Sequence, residues 1–267
     1  MISDGAMGSE LIGQGIAPSA VMHANLEAEA TVRSIHEAYI AAGAQFLTSN
    51  TFGLCSNSRW IDECRAGLNI AQKTAMASHQ EIGVWMSLPP SVMIAEREAL
   101  DEIVVSDTRN PPFILIETCT SLIEARKALK AATSLRSGIV AITGHFRADG
   151  TMADGTMPDG TTPEEFVRAL EGDGAQVLGA NCGETPEPFD ELTSRMRAVT
   201  RAPLLIQSSA GLPKQDDLGI WRYPVGPDRF AKAARQLADA GASIIGGCCG
   251  TSAAHIAAAK SQIGCFG

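Results

Sequence analysis

The chain has 267 residues, 45% of them hydrophobic and 19% charged, and a formal charge of −9. That composition supports a folded globular chain with a full core, and the acidic balance without any Lys/Arg cluster excludes a nucleic-acid backbone as partner. No run approaches the roughly 18 apolar residues of a membrane span and no basic-then-apolar leader opens the sequence, so a cytoplasmic protein with no membrane partner is expected.

In chain order, short apolar runs alternate with helical patterns. Strands are expected at Ile2 to Asp4, Gln45 to Ser49, Val84 to Leu88, Phe113 to Ile116, Ile139 to Thr143, Gln176 to Gly179, Leu204 to Gln207 and Ser243 to Ile245. Asn25 to Ala42 reads as a helix, with Val32, Ile35, His36, Tyr39 and Ile40 on one stripe and Gly43 ending it. Further helices are expected at Ser58 to His79, Glu96 to Val105, Ser121 to Leu135, Pro163 to Gly172, Pro188 to Val199, Asp228 to Ala240 and Ala253 to Ile263. Ala42-Gly43-Ala44, Gly174-Ala175 and Ala240-Gly241-Ala242 mark tight helix-to-strand turns.

Continuous rather than alternating apolar strands imply a parallel sheet covered on both faces. Eight strand-helix units over about 250 residues point to a (β/α)8 TIM barrel, read as one domain over residues 1–267. A dinucleotide fold is disfavoured, because Gly5-Ala6-Met7-Gly8 lacks the GxGxxG spacing. The Asp-Gly repeats between Arg147 and Thr162 lack the terminal Glu of a calcium loop and read as a solvated loop.

In such a barrel chemistry gathers where the strands end. The polar residues expected there are Asp4, Asn50, Thr51, Glu117, His145, Cys182, Ser208, Ser209, Cys248 and Cys249. Cys182 closes Gly179-Ala180-Asn181-Cys182-Gly183, and the adjacent pair sits in Gly246-Gly247-Cys248-Cys249-Gly250-Thr251. Three thiolates from two strand ends suit a catalytic zinc ion, which takes about three protein ligands and keeps one position open. A zinc-bound thiol is deprotonated outright, whereas a free one titrates near 8.5. Seven cysteines is an odd number in a chain that needs no staples, so the rest are expected to be reduced. Packing accounts for Cys64 and Cys265, whereas Cys55 and Cys119 each follow an expected strand.

These motifs resemble the zinc-dependent homocysteine S-methyltransferase family, and the resemblance runs the length of the chain. It is carried by Asp4-Gly5-Ala6-Met7-Gly8-Ser9-Glu10, Ile35-His36 through Tyr39, Ala42-Gly43, Thr48-Ser49-Asn50-Thr51-Phe52-Gly53, Ile116-Glu117-Thr118 and the two cysteine motifs. The resemblance implies a (β/α)8 barrel that binds Zn2+ through Cys182, Cys248 and Cys249, with the substrate thiol as fourth ligand. It also implies that Asp4 and Glu117 act in the homocysteine pocket, holding the amino group and orienting the substrate, with Gly5, Asn50 and Thr51 beside them. The implied reaction moves a methyl group from a sulfonium compound, a betaine-like compound or a methyl-corrinoid on a separate protein to homocysteine, giving methionine. The sequence ends just after the last expected helix, so no folate or cobalamin domain is expected within it.

Three departures from the family pattern stand out. Ser87-Leu88-Pro89-Pro90-Ser91 leads into a helix where a Gly-Pro and a long loop are usual, Gln207-Ser208-Ser209-Ala210-Gly211 replaces a Pro-Asn-Ala-Gly type ending, and Thr251-Ser252-Ala253 lacks a proline. The open third loop leaves room for a thiol other than homocysteine. Two other classes compete. Zinc hydrolysis needs a positioned base, for which His145 is the one tempting mouth histidine, expected to be structural or substrate-facing. A barrel that merely binds a partner would have no use for an intact thiol set.

Overall fold

The computed structural model describes residues 1–53, 59–105, 112–135, 138–146, 155–183, 185–216 and 221–264. Seven parallel strands follow one another around a curled sheet in chain order: β1 (Phe46–Thr48), β2 (Gly83–Leu88), β3 (Phe113–Cys119), β4 (Val140–Gly144), β5 (Val177–Cys182), β6 (Leu204–Ser208) and, after a small antiparallel hairpin of β7 (Lys214–Gln215) and β8 (Trp221–Arg222), β9 (Ile244–Gly247). The segment expected as an eighth strand forms no ladder. Ile2 makes a single parallel bridge to Ile245 and Ser3 one to Phe46. The Asp4 N–H also donates to the Phe46 carbonyl at 3.0 Å, and the Gly247 N–H to the Asp4 carbonyl at 2.9 Å. The Met1–Asp4 segment therefore lies between the two edge strands, joined to each by backbone hydrogen bonds and one bridge rather than by a ladder.

The strands end later than their apolar runs suggest. β3 continues past Ile116 through a register irregularity to Cys119, with Thr118 in the left-handed region at φ 63°. β5 runs on to Cys182, also left-handed at φ 71°. Both extensions carry polar residues, which is why an apolar pattern does not find them.

Helices cover the outer face: α1 (Gly8–Gly13), α2 (Ala24–Glu27), α3 (Glu29–Ala41), α4 (Trp60–Ala77), α5 (Pro90–Ala95), α6 (Arg97–Val105), α7 (Leu122–Ala132), α8 (Pro163–Gly172), α9 (Phe189–Arg197), α10 (Pro227–Asp239) and α11 (Ala253–Gly264). The helix expected over Asn25 to Ala42 is broken at Ala28, whose φ of −141° is not helical. The break follows from Asn25, whose side-chain amide is committed to the carbonyls of Asn50 and Glu63 and so fixes α2 separately from α3. The expected stripe of Val32, Ile35, His36, Tyr39 and Ile40 is buried on α3. After β2 the chain turns helical at once, because Pro90 sits in the first turn of α5, where its missing N–H costs nothing. Glu96 then separates α5 from α6.

Gly43, Gly174 and Gly241 all have φ between 94° and 102°, as the helix-to-strand turns require. The start expected at Ser58, together with Cys55, Cys265 and residues 147–154 of the Asp-Gly loop, lies outside the described residues. Asp159, within the described part of that loop, is not simply solvated: it accepts the Leu122 N–H at the start of α7 at 2.9 Å. No helix among the described residues is long and apolar enough to cross a membrane.

Inside the curl, Trp85, Leu115, Ala141, Val177, Leu205 and Ile244 form one apolar layer against Phe46 and Phe113. The Phe46 and Trp85 rings stack at 5.5 Å. A strand returns to the same face every second residue, so the next inward positions are Thr48, Ser87, Glu117, Thr143, Gly179, Gln207 and Gly246, and Asn181, one inward step beyond Gly179, pairs in register with Gln207. An apolar plug thus carries a polar tier, and above that tier the strands end.

Candidate metal centre and thiol pocket

The loop after β9 brings Cys248 and Cys249 to the end of β5, where Cys182 stands. The three sulfurs lie within 4.8 Å of one another, and those of Cys248 and Cys249 are 3.9 Å apart. Sulfurs on a tetrahedral zinc with Zn–S near 2.3 Å would be about 3.8 Å apart, so both donor type and spacing fit that ion. The left-handed backbone at Cys182 and Gly183, φ 71° and 79°, turns the thiol toward the pair.

The cysteine loop is held from three sides. The Cys248 N–H donates to the Ser208 carbonyl at 2.8 Å, and the Ala210 N–H to the Cys249 carbonyl at 2.8 Å. The Thr251 hydroxyl donates to the Cys248 carbonyl and accepts the Ala6 N–H, while the Gly250 N–H donates to Ser9 Oγ. Tyr39, from α3, reaches the carbonyls of both Ala6 and Thr251. Gly250 is required here: at φ 78°, an added Cβ would fall 2.1 Å from the Tyr223 ring.

Without any metal the three sulfurs already share charge. Cys182 is held well below the ordinary thiol range because the Cys248 and Cys249 thiols donate to it, with His145 and Ser209 adding further donors; the Ser209 hydroxyl lies 3.8 Å away. Cys248 and Cys249 are pushed up, since each holds its proton against that thiolate. His145 therefore faces the sulfur cluster. Cys64 and Cys119 are buried in the core, away from this group.

Beside the sulfurs opens a cavity of about 270 Å³, just below the roughly 300–1,000 Å³ range for small-molecule sites. Gly5, Asn50, Glu117, Cys182, Cys248 and Cys249 all line it. Burial raises the Glu117 carboxyl to about 7, against the Ser87 hydroxyl, which donates to Oε1. Its Oε2 accepts from Asn181 Nδ2 at 3.2 Å.

Asp4 and Thr51 stand behind this lining. Asp4 is 1% exposed, and both its oxygens are occupied by Thr48, the backbone N–H at 2.6 Å and the hydroxyl at 2.8 Å. Burial raises its carboxyl to about 7 despite those bonds. Thr51 donates to the Ser87 carbonyl at 2.7 Å. Asn50 borders the cavity, with its amide nitrogen tied to the Val21 carbonyl and to Asn25. After β2 the chain enters α5 at Pro90 with no long third loop between them.

Sequence reasoning passed over Thr48, Ser87 and Asn181, which hold the two acids. The signal that would have found them is the strand period: Thr48 and Ser87 each lie two residues beyond an inward apolar position, and Asn181 lies two such steps beyond Val177.

A family model described as Homocysteine S-methyltransferase matches residues 1–263. The methionine synthase of Mycobacterium tuberculosis is 28% identical over 96% of this chain, and that of Mycobacterium leprae 27% identical over 84%. The chain spans 24% and 20% of the length of these two relatives. Among solved structures, the apo homocysteine methyltransferase MmuM from Escherichia coli aligns with a TM-score of 0.77 over 98% of this chain and 95% of that one, at 20% identity. Its metallated form aligns equally well, over 96% of that chain. At such identity the likeness bears on the fold.

Proposed function

The chain belongs to the homocysteine S-methyltransferase family, and on that premise we propose that it transfers a methyl group from an activated donor to the thiol of homocysteine, giving methionine. One observation carries the reading: three cysteine sulfurs within 4.8 Å of one another open onto a small cavity that also holds a half-buried carboxylate.

We assign Cys182, Cys248 and Cys249 as ligands of zinc, a choice supported by three soft donors at tetrahedral spacing. When bound there, zinc supplies a Lewis acid that keeps the acceptor thiol deprotonated at neutral pH. The chain's own residues do the rest. Glu117, oriented by Ser87 and Asn181, takes the ammonium end of the acceptor, while Gly5 and Asn50 shape the wall opposite. Asp4 and Thr51 act through Thr48 and Ser87, fixing the wall. The acceptor sulfur forms the new S–CH3 bond as the methyl–heteroatom bond of the donor breaks, and the bonding pair leaves with the donor. Orientation of the two reactants is the main contribution of such a site.

The donor is a sulfonium compound, a betaine-like compound or a methyl-corrinoid on a separate protein. The Ile2–Ser3 segment bridging both sheet edges supports a closed (β/α)8 barrel spanning residues 1–267 as one domain, and the five described cysteines, all free, support a cytoplasmic setting.

Zinc-edge X-ray absorption with and without L-homocysteine tests the assignment. The expected change is from three sulfur ligands to four, together with methionine formation from one member of a donor panel. An unchanged sulfur count with homocysteine overturns it.

A further inference from the structure

We propose that Gln207 is a specificity-determining contact for the amino group of the thiol substrate, an inference that rests on the methyl-transfer reading above. Gln207 is an inward residue of β6 and lines the cavity beside Cys182 and Cys248. It is 4% exposed, and its side-chain oxygen has no hydrogen-bond donor among the described residues. A buried acceptor left without a donor is destabilising, so a chain that keeps one at the wall of a cavity gains by presenting it to a ligand.

The neighbours show which part of a ligand arrives there. Across the β5–β6 pairing, Gln207 is the register partner of Asn181, and Cys182 that of Ser208. Asn181 in turn binds Glu117. Gln207 thus continues the polar tier in which Glu117 stands, one step below the sulfurs. On its other side is Gly246, where an added Cβ would lie 3.3 Å from Gln207 Cγ and 2.9 Å from the Asp4 carbonyl. The missing side chain leaves the Gln207 stem its place. A thiol held at the three sulfurs and extending down into the cavity sets its polar head in this tier. There a carboxylate and an amide oxygen both accept hydrogen bonds, and an ammonium donates them.

The test uses the zinc-loaded full chain, the variants Gln207→Met and Gln207→Glu, and three thiols: L-homocysteine, 4-mercaptobutanoate, which lacks the amino group, and 3-aminopropane-1-thiol, which lacks the carboxylate. In Gln207→Met, close in volume but without an acceptor, KM for both amino-bearing thiols should rise about ten- to a hundredfold with kcat nearly unchanged, as expected for one lost hydrogen bond to a charged group. KM for 4-mercaptobutanoate should stay put. Gln207→Glu keeps the acceptor and should hold KM for homocysteine within a few-fold, whereas a packing role would make Met the benign substitution and Glu the harmful one. Equal losses for all three thiols, or an unchanged KM for homocysteine in Gln207→Met, overturn the assignment. If the wild-type protein never gains a fourth sulfur ligand with homocysteine, the methyl-transfer reading fails first and this contact falls with it. If it does, and Gln207→Met binds equally well, only the role of Gln207 falls.

Discussion

The side-chain amide of Asn181 donates to Glu117 Oε2 at 3.2 Å, linking the residue next to Cys182 with the one carboxylate that the described residues place on the cavity wall. The same amide donates to Thr118 Oγ1 at 2.7 Å, and its oxygen accepts the Thr118 N–H at 2.8 Å and the Thr143 hydroxyl at 2.7 Å. The left-handed backbone at Thr118, unfavourable for a β-branched residue, is held by this clasp.

Asn181→Leu keeps the volume and removes the clasp. It leaves the Thr118 N–H and the Thr143 hydroxyl unpaired in a buried site, which should cost about 3 kcal/mol in chemical denaturation. KM for homocysteine should rise as well, because Glu117 is then oriented by Ser87 alone. A loss below about 1 kcal/mol would show that the bonds are replaceable.

Each of Cys182→Ala, Cys248→Ala and Cys249→Ala should abolish methyl transfer and strip the metal while leaving far-ultraviolet circular dichroism unchanged, since none of the three belongs to the core. Cys64→Ala and Cys119→Ala, both in the core, should keep the metal. Metal content per chain reads both sets, and a full complement in any of the first three refutes that ligand.

Asp4 gives the fold a pH dependence. Burial raises its carboxyl from 3.8 to about 7, so the folded chain binds more protons than the unfolded one between those values. The contribution to stability is fully present below about pH 4 and is lost as pH rises through about 7. Asp4→Asn imitates the protonated acid, its carbonyl accepting the Thr48 N–H and its amide donating to the Thr48 hydroxyl. Denaturation midpoints measured from about pH 4.5 to 8 should therefore fall less steeply in Asp4→Asn than in the wild type. Glu117, raised likewise to about 7, accounts for slope that remains. Parallel curves would rule Asp4 out as the titrating group.

Two glycines separate folding from metal binding. A Cβ at Gly179 would fall 1.8 Å from the Leu205 carbonyl oxygen in the neighbouring strand, so Gly179→Ala should lose about 3 kcal/mol or more, or fail to fold. Gly250→Ala meets a side chain, Tyr223, from a left-handed backbone, and that strain is worth about 1 kcal/mol of stability. Its larger effect should be on zinc affinity, read by competition with a chelator, because the strained residue adjoins Cys249. Unaltered affinity would mean that the loop absorbs the change.

Much of this molecule is local information. Apolar runs of three to five residues, the stripe on α3 and the glycines at 43, 174 and 241 fixed where strands and helices fall, because strand period, helix period and left-handed turns are properties of neighbouring residues. The convergence of Cys182 with Cys248–Cys249 followed once those runs were read as strands of one parallel sheet. Other features depended on residues far apart in sequence. The break at Ala28 comes from Asn25 reaching Asn50 and Glu63, and the extension of β3 through Thr118 comes from Asn181, 63 residues away. That Thr48 occupies both oxygens of Asp4, while the Gln207 side-chain oxygen is left without a donor among the described residues, depends on strand register. Register is set by packing across the sheet, and no single stretch of chain encodes it.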